Sequence, residues 1–322
     1  MSTRKRYKLK PDAFLYLAVI IVLIILANKG CTMIENHKYH QTTEYKLITN
    51  GYSKSDIKVL SKYLSEKELI SLSKKKKDTK LISLMKNKNY KHKNYNDYLE
   101  YMDLNHDKTI DEIINTVNLH LNYDFYEDTK ATDLSKNNLI LVNKYNSLSE
   151  DYIPDDLVVI TTKYSWGTNG SKKIRNDAFN QFVKMHEDAE ASYIYLMVGL
   201  SFRTYEKQSQ VYESYKNLYG EAGADKIAAR AGFSEHQTGL ALDIFSLKDS
   251  LQDTFKDSET YAWLKENSYK YGFILRYPEG KEKITGFTFE PWHYRYVGVE
   301  DAKKIHDLDI TFEEYYINYI EK

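Results

Sequence analysis

Leu240-Ala241-Leu242-Asp243-Ile244-Phe245 is an apolar, strand-like run with a carboxylate set inside it. An aspartate in such a strand is costly unless it is paired or bound to a metal. Strand alternation puts Leu240, Leu242 and Ile244 on one face and Ala241, Asp243 and Phe245 on the other. Immediately upstream, Ser234-Glu235-His236-Gln237-Thr238-Gly239 brings a histidine into a loop. The small residues Gly239 and Ala241 let backbone and ligand groups approach closely. Downstream, Glu290-Pro291-Trp292-His293 supplies a second histidine and another carboxylate, expected at the end of a strand over Phe287–His293. His236, Asp243 and His293 together offer two neutral nitrogens and one anionic oxygen. That is the protein's share of an open, four-coordinate zinc site whose last position is left to water. Zinc can lower the pKa of that water from 15.7 to about 7, and Glu290 remains as the general base.

Composition narrows the alternatives. Lys+Arg and Asp+Glu each number 46, so the chain lacks the net positive charge that phosphate neutralisation requires, and nucleic acid is not an expected partner. The single cysteine, Cys31, excludes an intramolecular disulfide and any Cys-rich zinc module. His186-Glu187 begins like a zincin helix, but Glu190 stands where the second histidine belongs. The Ser-x-x-Lys matches at Ser55–Lys58 and Ser83–Lys86 have no Lys-Thr-Gly companion. Asp103, Asn105 and Asp107 fit part of a calcium loop. Lys108, however, replaces the glycine that makes its turn, and Ile114 replaces its bidentate glutamate.

At the N-terminus Arg4, Lys5, Arg6, Lys8 and Lys10 precede an uninterrupted apolar run from Ala13 to Ala27. The run is somewhat short for the roughly 20 residues of a spanning helix. Asn28-Lys29-Gly30 makes no small-x-small cleavage site. The expectation is an uncleaved transmembrane signal anchor over 13–29, a basic cytoplasmic tail over 1–12, and the rest of the chain outside the cell membrane. Residues 30–45 read as a polar stalk. A helical module over 46–129 follows, with capping-box pairs at Ser53/Asp56, Ser65/Glu68 and Thr109/Glu112. The Lys74–Lys77 run within it reads as a solvated loop. Residues 130–322 change character, with strands expected at Leu139–Val142, Tyr193–Val198 and Leu240–Phe245. Helices are expected over Tyr205–Leu218, Ala224–Ala231 and Tyr261–Tyr271, giving an α+β domain with a small antiparallel sheet flanked by helices.

The motif Ser-x-His-x-x-Gly-x-Ala-x-Asp, complete from Ser234 to Asp243, followed by Glu290-Pro291-Trp292-His293, resembles the zinc D,D-carboxypeptidases of the VanY type. That group sits in a wider peptidase family that also contains VanX and the Hedgehog signalling domain. Ser201-Phe202-Arg203-Thr204-Tyr205-Glu206-Lys207-Gln208 is similar to the family's Gly-Tyr-Arg-Ser-x-x-x-Gln stretch, with Ser201 and Thr204 as mild departures. Leu141–Lys144 and Tyr152–Leu157 are similar to its entry segment, so the resemblance spans residues 140–300.

The resemblance implies a Hedgehog-like peptidase fold and removal of the C-terminal D-Ala from peptidoglycan stem peptides. It gives zinc to His236, Asp243 and His293, the base to Glu290 and oxyanion stabilisation to Arg203. Ser234 and Gln208 become candidates for hydrogen bonds to the substrate, and Trp292 for a wall of its pocket. The implied partners are stem peptides and, through the anchor, the membrane, with the protein acting as a monomer. Alternatives of the same family are an L,D-carboxypeptidase and a wall endopeptidase. Outside the enzymes stands an inert, zinc-containing wall-binding module, whose mark would be loss of Glu290 or Arg203.

Overall fold

A computed structural model describes residues 11–167, 172–246 and 253–321. The chain divides into two compact units. One runs up to Tyr95 and includes Asp107–Ile114; the second comprises Asn96–His106 and the chain from Asn115 onward.

The first unit opens with α1 (Pro11–His40), a single helix. Its stretch Ala18–His40 is long and apolar enough to cross a membrane by length and composition, and its most apolar window is unburied. The residues expected to form a stalk are therefore helical as far as His40. No glycine or proline follows Gly30 in this stretch to break the helix. Beyond it lie α2 (Lys54–Tyr63), α3 (Glu66–Leu72) and α4 (Thr79–Lys86). The caps form as the sequence suggests. Ser53 Oγ accepts from Asp56 N at 3.1 Å while Asp56 Oδ2 accepts from Ser53 N at 3.0 Å. Ser65/Glu68 and Thr109/Glu112 make the same reciprocal pairs. Leu47, Leu60, Leu81 and Leu84 are buried in this unit. The lysine run is not wholly solvated. Lys77 and Lys86 pair with buried Asp56 at 2.7 and 2.6 Å and hold its carboxyl well below the usual range.

The second unit is built on a four-stranded sheet. Its strands belong to the series β1 (Leu157–Val159), β2 (Lys173–Arg175), β3 (Leu196–Leu200), β4 (Ala241–Ser246), β5 (Phe273–Leu275) and β6 (His293–Tyr296). The sheet runs β3-β4-β6-β5 and is antiparallel throughout. β1 and β2 form a separate antiparallel pair. The helix α5 (Asn176–Glu190) packs Phe182, Met185 and Ala189 into the core with Leu242, Ile244 and Phe273. Each such large side chain stabilises by about 1.5–3 kcal/mol through burial. His186 is a core residue too, its Nδ1 2.8 Å from the Leu196 carbonyl.

Three strand boundaries differ from expectation. Leu139–Val142 is not a strand, because side chains take its carbonyls. Arg295 Nη2 donates to Ile140 O at 2.8 Å, and Thr132 Oγ1 to Leu141 O at 2.9 Å. The strand expected over Phe287–His293 begins only at His293. Pro291 has no N–H for a ladder, so Glu290 and Trp292 stand in the loop leading to β6. β3 starts at Leu196, since Tyr193 takes φ 60 in the turn after α5. The two helices expected on either side of Gly220 form α6 (Tyr205–Ile227), broken at that glycine, where φ is 73°.

Candidate active site

The central sheet assembles the site through register. In the β4–β6 ladder Asp243 lies directly opposite His293. His236 sits in the 3-10 turn Glu235–Thr238 that leads into β4. That turn closes on Gly239 with φ 66°, a left-handed conformation. A Cβ there would stand 2.8 Å from Leu157 Cδ2 and 3.1 Å from Arg175 Cγ, so the motif's glycine answers both backbone and space. Arg203 follows β3 in the turn into α6, whose N-cap Thr204 accepts from Lys207 N. The Arg203 N–H donates to the His236 carbonyl at 3.2 Å, tying the two motif segments together.

Three buried side chains converge. His293 Nδ1 is 3.0 Å and His236 Nε2 3.5 Å from Asp243 Oδ1, and the two imidazole rings are nearly perpendicular with centroids 5.0 Å apart. One ligand atom from each of the three lies within 4.8 Å of the others. Tetrahedral zinc with bonds of about 2.0–2.2 Å separates its donors by roughly 3.3–3.6 Å. The observed spacings, 3.0 and 3.5 Å to Asp243 Oδ1 with all three atoms within 4.8 Å, bracket that separation, and the two-nitrogen, one-oxygen set suits the ion. Glu290 Oε2 lies 3.7 Å from His293 Nδ1, next to the donors but outside their cluster.

The electrostatics differ from group to group. Burial would raise the Asp243 carboxyl, but His236 and His293 beside it hold it well below the usual range. Burial pushes Glu290 up to about 7; His293 and Arg203 oppose the shift, and the Asp243 and Glu235 carboxylates add to it. Burial presses His236 below its ordinary value. His293, equally buried, rises to about 9 because the Asp243 and Glu235 carboxylates beside it outweigh desolvation.

Above the cluster lies a cavity of about 620 Å³ lined by Arg203, Gln208, Ser234, His236, Asp243, Glu290, Trp292 and His293, with Val211, Ile227 and Phe287 among its apolar walls. Every site residue expected from sequence thus borders one space. Gln208 is buried, and both of its polar ends are occupied: Oε1 accepts from Arg203 Nη1 at 2.7 Å and Nε2 donates to Ala229 O at 2.7 Å. Trp292 is half-buried and packs against the core cluster. Sequence reasoning passed over Glu235. Its carboxylate is fully buried, accepts from Arg276 Nε and Arg295 Nη1 at 2.7 Å each, and turns its other oxygen toward His293 Nε2. The available signal was Arg295 itself, an arginine two residues after His293 and hence on the same strand face.

The model of a family described as VanY, D-alanyl-D-alanine carboxypeptidase, matches residues 171–299. The Bacillus subtilis protein named "Putative carboxypeptidase YodJ" is 38% identical over 201 residues, which cover 60% of this chain and 74% of that one. A D-alanyl-D-alanine carboxypeptidase of Enterococcus faecalis is 37% identical over 204 residues, 59% of this chain and 71% of that one. Among solved structures, the LdcB LD-carboxypeptidase aligns with a TM-score of 0.56 at 38% identity, covering 59% of this chain and 90% of LdcB. A vancomycin-resistance D,D-pentapeptidase VanY in complex with Zn(II) aligns with a TM-score of 0.48 at 36% identity, covering 55% and 98% of the two chains. The chain belongs to the VanY family of D-alanyl-D-alanine carboxypeptidases.

Proposed function

We propose that this protein is a zinc-dependent D,D-carboxypeptidase that removes the C-terminal D-Ala from peptidoglycan stem peptides. The observation that carries the reading is the convergence of His236 Nε2, Asp243 Oδ1 and His293 Nδ1 in a cavity that also presents Glu290 and Arg203. These three side chains would hold the ion. Zinc bound there supplies Lewis acidity toward the scissile carbonyl and lowers the pKa of water from 15.7 to about 7. Glu290 takes the proton of the attacking water and hands it to the leaving amine. A carboxyl pushed up to about 7 suits both tasks near neutral pH. Arg203 stabilises the negative charge that develops on the carbonyl oxygen, and Gln208 acts by holding its guanidinium in place. Ser234 offers a hydroxyl to the substrate's amide or terminal carboxylate, and Trp292 forms one wall. Arg203→Ala is expected to lower kcat by about 10²–10³-fold with zinc content unchanged, as read by peptide hydrolysis and metal analysis.

The likeness to LdcB supports a second reading, in which the same apparatus releases D-Ala from a tetrapeptide as an L,D-carboxypeptidase. Incubating the protein with pentapeptide and tetrapeptide stems, with and without a chelator, tests both. Release of D-Ala from the pentapeptide supports the first reading, and release from the tetrapeptide the second. Hydrolysis that survives chelation, or none on either stem, sinks the zinc peptidase. We further take α1 to anchor the chain with the catalytic unit on the outer face, where stem peptides are found. One unit supplies every residue of the site, which accords with a monomer.

A further inference from the structure

Glu235 Oε2 and His293 Nε2 are both buried, have no hydrogen-bond partner among the described residues, and face each other at 3.5 Å. Leaving two such groups unsatisfied costs about 1–3 kcal/mol each, and a shift of a few tenths of an ångström satisfies both. The Glu235 side chain cannot turn away. Its Oε1 is held by Arg276 and Arg295, whose side chains are wholly buried. Arg276 in turn makes a two-armed pair with Glu313 at 2.6 and 2.9 Å, and Arg295 is fixed by the Asn138, Ile140 and Tyr296 carbonyls. Buried ion networks of this kind give little net stability compared with apolar packing, and none of these four side chains has a part in the hydrolysis described above.

We infer that Glu235 is a positioning residue: clamped by Arg276 and Arg295, it accepts the Nε2–H of His293 and so turns the Nδ1 lone pair toward Asp243 and His236. The inference rests on the zinc reading of those three residues. Glu313, on the short helix α7 (Phe312–Tyr315), extends the clamp to the C-terminal segment, far in sequence from the motif. Partners that fix the free nitrogen of a ligating histidine typically govern metal affinity as well as ring orientation.

Glu235→Gln tests the inference because it keeps the shape and reverses one polarity. The amide oxygen must face the two arginines, which leaves the NH2 group facing His293. A donor then confronts the Nε2–H, and the ring is driven toward carrying its proton on Nδ1. Zinc affinity, measured on the metal-free protein by competition with a chromophoric chelator, is expected to fall roughly 10–100-fold while the circular dichroism spectrum is retained. An unchanged affinity in a folded Glu235→Gln protein overturns the inference. Ring-15N spectra of His293 in the zinc-loaded unmodified protein give a test independent of that variant. A protonated Nε2 supports the assignment, and a protonated Nδ1 overturns it. Failure of the underlying zinc reading looks different: the unmodified protein and Asp243→Ala would then bind zinc equally poorly.

Discussion

Glu290→Gln is expected to lower kcat on stem peptides on the order of 10³-fold, within the range that general acid–base catalysis supplies, while zinc remains bound in full. The amide can neither accept the water's proton nor deliver it to the amine. If zinc were lost together with activity, Glu290 would be a ligand and the roles in the pocket would have to be reassigned. The same substitution carries a stability signature. The Glu290 carboxyl stands at about 7 in the folded metal-free protein, against 4.5 for an ordinary glutamate. Its protonated form therefore favours the native state. The penalty for ionising it in place is absent below about pH 4.5, grows as pH rises, and is complete above about 7. At about 1.4 kcal/mol per pKa unit, the gap between 4.5 and about 7 makes the penalty on the order of 3.5 kcal/mol. Metal-free Glu290→Gln should melt higher than the unmodified protein at pH 8 and equal to it at pH 4.5. In the unmodified enzyme, kcat/KM should decline as pH drops, because the base must be ionised to act. The midpoint of that decline lies at or below about 7, since a cation on the neighbouring donors pulls the carboxyl down.

Asp243→Ala should reduce turnover to the level of the chelated unmodified enzyme. A bound metal contributes several kcal/mol of charge stabilisation in the transition state, so the deficit is at least about 10³-fold. Adding zinc back after dialysis against a chelator should restore the unmodified enzyme and leave Asp243→Ala inactive. Restoration of both would mean that Asp243 is not needed to hold the ion. Asp243 Oδ1 also stands 3.0 Å from His293 Nδ1 as an ion pair. The pair's contribution to stability is present above the ordinary carboxylate pKa and lost as pH falls below it, because the folded-state value is depressed. Asp243→Ala removes that acid sensitivity as well.

The candidate site was legible because its chemistry is concentrated in two short segments. A carboxylate inside Leu240–Phe245 demands a partner, and the loop histidine before it and Glu290-Pro291-Trp292-His293 after it supply the missing donors. What the residues do not disclose is the ladder that makes Asp243 face His293. That depends on long-range pairing and a register that local pattern cannot fix. Glu235 was hidden for a related reason. An acid between Ser234 and His236 reads as solvated until Arg276, Arg295 and Glu313 arrive from distant parts of the chain. Leu139–Val142 looked like a strand because its residues are β-prone. Its backbone partners proved to be the Arg295 and Thr132 side chains, which no propensity scale anticipates. The capping boxes, by contrast, are wholly local, and all three form.

The Glu290 N–H donates to the Tyr277 carbonyl at 3.1 Å, and the His293 N–H to the Glu290 carbonyl at 3.1 Å. The excursion from Pro278 to Phe289 is therefore pinched shut at its neck, and only its interior, including the cavity wall at Phe287, lies free of that closure. Inside the neck Phe287 is itself held, with the Gly286 carbonyl accepting from Lys144 Nζ and the Thr288 N–H donating to the Lys226 carbonyl at 3.1 Å, so a substitution at Phe287 alters the cavity wall without opening the neck. The shape of the space and the chemistry at its floor thus rest on separate backbone closures.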